Sequence, residues 1–178
     1  MPFAFCSREQ CKLQRGEIEM GAQYKIIALI ASLFITFASL VESCADTQTA
    51  ASASYADVSA AVLAASPGDT VTVPAESATW DSPVTITRGI TLQGAGVGNT
   101  VITSNITNQN AGIILFAPNS TALTNNEAFR LTGFTFDCAN MSNGILLVNS
   151  TTTIMNKVRI DHNRILNAGG ANAGRCIS

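Results

Sequence analysis

Val158-Arg-Ile-Asp-His-Asn-Arg164 is the densest run of reactive side chains in the body of the sequence. Arg159 and Asp161 alternate with Val158 and Ile160, so on an extended backbone both point away from the two aliphatic residues and toward solvent. An anionic ligand could meet them there, with His162 and Arg164 completing the polar cluster. Arg130, in Phe129-Arg-Leu-Thr132, occupies the matching position of an earlier stretch and would stack under Arg159 as a short basic ladder. The plainer reading makes Arg159 and Asp161 a surface ion pair worth about 0–1 kcal/mol, with His162 as a turn residue. The sequence assigns no catalytic residue.

Other candidates are weaker. Trp80 could stack on a sugar ring or pack within the fold, and Asp137 could contact a cation or a sugar, with no partner evident. Gly94-Ala-Gly96-Val-Gly98 lacks the helix and Lys of a phosphate loop and reads as a turn. Of five Cys, Cys6, Cys11 and Cys44 lie in or before an apolar leader, leaving Cys138 and Cys176 either to pair or to stay buried as thiols. With one His and no CxxC, no metal site is expected. At 12% charged residues, 10 basic against 12 acidic, the 178-residue chain lacks the basic surplus of a nucleic-acid binder. Residues 129–178 hold five basic and two acidic residues and residues 46–128 one and six, a drift that suits an acidic polymer at the later end.

The elements that must carry these residues are short strands. Thr70-Val-Thr-Val73 alternates with the two-residue period of a half-buried strand, and Val84-Thr-Ile86 and Ile90-Thr-Leu92 follow the same rule. Before them, Val58, Ala61, Val62 and Ala65 form the stripe of a helix over 57–65, stopped by Ser66-Pro67-Gly68 and predicted to close the first strands as a lid. Self-comparison then exposes a repeat of about 30 residues. Phe129-Arg-Leu-Thr132 matches Val158-Arg-Ile-Asp161, and Thr135-Phe136 falls on Arg164-Ile165. Gly112, Gly144 and Gly174 each lead an apolar pentad, and Gly89-Ile-Thr-Leu92 matches Gly133-Phe-Thr-Phe136 if a polar insertion lies near 117–127. All 14 Asn fall between Asn99 and Asn172, where they suit tight corners, Asn163 best of all.

Ahead of this body, Ile26–Val41 is an uncharged apolar block behind Lys25, about four residues short of a membrane span and of the right form for an export signal. Met20 makes a natural start for it. Small residues at Ser43 and Ala45 fit cleavage after Ala45, while Val41-Glu-Ser-Cys44 resembles a lipoprotein box that would acylate Cys44. Residues 1–45 are accordingly the signal region, 46–54 a short flexible linker, and 55–178 the cap and first coils.

Residues 57–102 resemble the opening of pectin-lyase-like right-handed parallel β-helix proteins, and are similar in particular to chondroitinase-B-like and alginate-lyase-like enzymes. The resemblance rests on Ala65-Ser-Pro-Gly-Asp-Thr70, Val73-Pro74 and Gly89-Ile-Thr-Leu-Gln-Gly-Ala-Gly96. It implies an all-β solenoid with an N-terminal capping helix, cut off after its first few coils, and a polysaccharide as partner. Lyase or hydrolase action on acidic polysaccharide is the implied activity, with catalytic residues expected downstream of Ser178. A non-catalytic adhesin or carbohydrate-binding scaffold is the other class. Arg130, Arg159, Asp161, His162 and Arg164 are the substrate-binding candidates. Calcium is the one cofactor that the resemblance admits. Location would be secreted or in a bacterial cell envelope, with membrane contact only through the signal or a lipid on Cys44. Feeding cells a palmitate analogue separates the two exits: label that disappears in Cys44→Ala marks the anchor, and an unlabelled chain starting at Asp46 marks the cut.

Overall fold

Strand formation follows the alternation of branched residues with polar ones, because the pleat sends successive side chains to opposite faces. The computed structural model describes residues 44–108, 110–140, 143–148, 155–169 and 177. They form β1 (Thr47–Thr49), α1 (Tyr55–Ala64), β2 (Thr70–Val73), β3 (Ser77–Trp80), β4 (Val84–Ile86), β5 (Thr91–Gly94), β6 (Val101–Ser104), β7 (Gly112–Phe116), α2 (Ser120–Thr124), β8 (Phe129–Thr132), β9 (Thr135–Asp137), β10 (Asn143–Leu147), β11 (Val158–Asp161) and β12 (Arg164–Leu166).

These strands make three sheets. The first runs β1-β2-β5-β8-β11, the second β3-β6-β9-β12 and the third β4-β7-β10. Every pairing among them is parallel, and the chain visits the first, second and third sheets in turn. The protein is therefore mostly β, built on parallel sheets, with two short helices among the described residues.

Register stacks like on like. In the first sheet Val71, Leu92 and Leu131 lie over one another and are fully buried, with Ile160 next. Ile102 and Phe136 do the same in the second sheet, with the partly buried Ile165 next, and Val84, Ile114 and Ile145 in the third. Phe116 stacks on Phe129 at 4.2 Å, and Phe134 on Phe136 at 5.2 Å, which joins these columns into one core. Polar residues fill the opposite faces. Thr47, Thr70, Thr91, Arg130 and Arg159 form one outward column of the first sheet, beside Thr49, Thr72, Gln93, Thr132 and Asp161.

The helix forms where the stripe predicts it. Ser54 caps it by accepting from Asp57 N, and Val58, Val62 and Ala65 are buried. α1 packs against β1, β2, β3 and β4, and so touches the outermost strand of all three sheets. Trp80 is fully buried beneath this end; its indole Nε1 donates to Ala53 O at 2.9 Å and its ring meets Tyr55 edge-on. That burial settles Trp80 as a packing residue. Gly96 and Gly98 sit at positive φ, so Gly94–Gly98 is the turn expected of it.

Four expectations need correction. Residues 46–54 are not a tether: Thr47–Thr49 pair with β2, and Ala50 and Ala53 are buried. The match of Gly89 to Gly133 is wrong, because Thr91 pairs with Arg130 and Leu92 with Leu131. Gly133 instead lies over Gly94, where a Cβ would come within 2.4 Å of the Gly133 carbonyl, so the pair marks a tight corner and not a strand start. The Gly-led pentads stack one residue out of the expected register, with Gly112 opposite Asn143 and Ile145 over Ile114. Ile114 faces inward above Val84, and a one-residue slip would have turned Ile145 outward. In the third pentad Ile177 bridges Ile145, while Gly174 and Cys176 lie outside the described residues, as does the leader through Ser43. The insertion near 117–127 does occur, but it folds into α2, capped by the Asn119 side chain on Ala122 N.

Val62→Asp places an unpaired carboxylate under the cap, where Val62 is 5% exposed. It is expected to cost about 3 kcal/mol or more and to bare the strand edges. Thermal unfolding and light scattering check this; a monomeric variant of unchanged stability would contradict it.

Candidate functional site

Parallel pairing of β8 with β11 puts Arg130 directly opposite Arg159. Two guanidiniums on neighbouring strands about 4.8 Å apart repel, and a carboxylate on the same face resolves the conflict. Asp161 is that group, two residues beyond Arg159 on the same side of β11. Arg130 reaches diagonally across the strands and donates through Nε to Asp161 Oδ1 and through Nη2 to Oδ2, both at 2.9 Å. Arg159 Nη2 lies 3.0 Å from Oδ2, and His162 Nδ1 2.9 Å from the same oxygen. Asp161 is well covered, whereas the side chains of Arg159 and His162 are 66% and 76% exposed.

Hydrogen bonds from Arg130 hold the Asp161 carboxyl far below the usual carboxylate range, with His162 and the charge of both arginines adding to them and desolvation opposing. The same pairing pushes the Arg130 guanidinium up. Asp161 is thus an ionised positioning group and a poor proton acceptor. It takes the Nδ1–H of His162, so in the neutral ring Nε2 is left as the acceptor.

Backbone geometry explains why His162 can stand here. Its φ of +52° continues the corner that Gly133 makes at +82° one turn of chain earlier, and Gly133 N donates to His162 O. Asn163 secures that corner: its Oδ1 accepts from Phe134 N, and its Nδ2 donates to Leu131 O and Asp161 O. All three of these bonds go to backbone groups.

Arg130, Arg159, Asp161 and His162 are therefore brought together. Arg164 is not. It lies on β12 of the second sheet opposite Thr135, exposed, and joins none of the ion pairs found among the described residues. Asp137 has structural work, accepting from Ala139 N and Asn167 Nδ2 at a corner. Cys44 is exposed, and Cys138 is buried. The diagonal Arg130–Asp161 bond is the feature that sequence reasoning missed. Its signal was present in the 29-residue match, since Asp161 lies two residues past the partner of Arg130.

Chemically, the cluster presents an excess of positive charge and an oriented imidazole on one open face. Among the described residues no set of three His, Cys, Asp or Glu could hold a metal, and no helix is long and apolar enough to cross a membrane. The chain matches no protein-family model, no curated protein and no solved structure.

Because the folded-state pKa of Asp161 is depressed, its stabilising effect is complete above the ordinary carboxylate value of about 3.9 and fades as pH falls below it. Thermal unfolding from about pH 5 to about pH 2 is expected to show a steeper loss in wild type than in Asp161→Asn. Parallel pH profiles would refute the assigned ion cluster.

Proposed function

We propose that this chain forms an exported right-handed parallel β-helix whose first-sheet outer face binds acidic polysaccharide. Parallel strands joined by crossovers in one sheet are nearly always right-handed, which supports the hand. The observation that carries the binding reading is the Arg130–Asp161–Arg159–His162 cluster. One carboxylate is engaged by three side chains, so positive charge is left facing solvent from a sheet whose outward columns continue as Thr. Guanidinium groups suit the planar carboxylates of uronic acids. The leader at Ile26–Val41 supports export, either to the medium or to the cell envelope. An acylated Cys44 would seat the capped end close to the membrane, since β1 begins three residues later.

Of the two enzyme types, a lyase is the better fit. Arg159 can neutralise a sugar carboxylate, and His162 Nε2, oriented by Asp161, can take the adjacent proton. A hydrolase would need a second carboxylate beside Asp161, whose oxygens are already engaged. One observation favours a non-catalytic scaffold instead: the outward face continues toward the cap as Thr and Gln, with Thr49 and Thr72 hydroxyls 3.0 Å apart.

Binding of the full chain to alginate and pectate is expected to weaken about tenfold in Arg159→Gln and to fall with added salt, with a neutral glucan unaffected. Affinity that ignores the charge of the polymer or the loss of Arg159 would overturn the proposal. Absorbance of unsaturated uronate products separates the lyase, which generates it, from the scaffold, which binds without turnover.

A further inference from the structure

Asp69 is an anomaly of a different kind. Its residue is only 3% exposed, yet among the described residues no Lys, Arg or His pairs with its carboxylate. Buried carboxylates are ordinarily paired, because removing the charge from water is costly. Two backbone amides partly answer the need: Ser66 N donates to Oδ2 at 2.7 Å, and Asp46 N donates to Oδ1 at 2.8 Å. The second of these belongs to the residue that directly follows the predicted cut after Ala45.

We propose that the chain is hydrolysed between Ala45 and Asp46, and that the α-ammonium created at Asp46 becomes the missing countercharge of Asp69. Water adds across the peptide bond; Ala45 departs with the leader as a carboxylate, and the Asp46 nitrogen leaves as an amine that takes up a proton. The agent is an export peptidase that recognises small residues at Ser43 and Ala45, so the inference rests on the export reading. Its new content is the lock. It also chooses between two exits left open by the sequence, because acylation at Cys44 would keep Asp46 N as an amide.

The surroundings fit an ammonium. Cys44, Ala45 and Asp46 are exposed, so the bond is accessible and the remaining N–H groups of an ammonium can meet water. The rest of Asp46 is already fixed: its carbonyl accepts from Thr70 N, and its own carboxylate accepts from Thr47 N. Among the described residues, the charged groups that the hydrogen bonds bring to this corner are Asp69, the Asp46 carboxylate and, one residue before Ser66, Arg88, whose Nη1 donates to Ala65 O. Asp69 lies between the start of β1 and the end of α1. The Asp46 amide already ties the first edge strand to the cap, and the ion pair would strengthen that tie only once the leader is gone, which makes the mature form the more stable one.

The exported full-length chain tests this in two steps. Intact mass and N-terminal sequencing are expected to give Asp46 as first residue; a retained leader or an acylated Cys44 would overturn the cut, and with the leader retained the export reading as well. Thermal unfolding of the processed protein then tests the lock alone. An α-ammonium with a partner has its folded-state pKa raised above the ordinary value of about 8, so stability is full below that pH and lost as pH rises through the raised value. The melting temperature is expected to fall by several degrees between about pH 8 and about pH 10, and the fall to vanish in Asp69→Asn. Should that variant not fold, acetylating the α-amine of the wild type, which keeps an N–H and removes the charge, is expected to abolish the same slope. An Asp46 start with a slope unchanged by acetylation would overturn the lock and leave the export reading intact.

Discussion

Parallel pairing in register is the constraint from which the other features follow. Each strand lies about 4.8 Å from its neighbour, so a side chain has its counterpart on the strands before and after it as nearest company. With a side-chain period of two, a slip of one residue would send a whole inward set to solvent. Val71, Leu92 and Leu131 satisfy that condition in the first sheet, and Val84, Ile114 and Ile145 in the third. The same condition acts on the outer face. It sets Arg130 on Arg159 whether or not charge favours it, and Asp161 makes the stack tolerable by bridging both.

A stack of parallel strands has an open end, and three devices close the first one here. α1 covers the terminal strands of all three sheets. Trp80 fills the space beneath and is fixed by the Ala53 carbonyl. Asp69 gathers the backbone entering β1 and leaving α1, and the hydrogen bonds from Asp46 and Ser66 pull its own pKa down. Closure and the polar surface are thus separate parts of the molecule, with the cap at one end and the cationic cluster on the latest strands of the first sheet.

Legibility in the sequence tracked how much local pattern each feature leaves. The pairing of β8 with β11, and of β9 with β12, was readable because no insertion interrupts those 29 residues. Asn163 and His162 were readable as corner residues because each replaces a residue of the preceding repeat at a turn. Gly89 and Gly133 misled because glycine leaves no side-chain pattern by which to tell a corner from a strand start; Gly94 was the true partner. β1 was hidden because Thr47-Gln-Thr49 carries no apolar residue, and its pairing comes from backbone hydrogen bonds with β2. Asp137 looked unpartnered since Asn167 lies 30 positions away, across a corner.

Methyl–methyl nuclear Overhauser contacts in the full chain test the register most directly. The account predicts a ladder in which Val71 contacts Leu92, Leu92 contacts Leu131 and Leu131 contacts Ile160, with Ile114 joined to Val84 on one side and Ile145 on the other. Absence of the Leu92–Leu131 contact, or a contact of Leu131 with residues of β4 or β7 in its place, would contradict the stacked sheets and everything built on them.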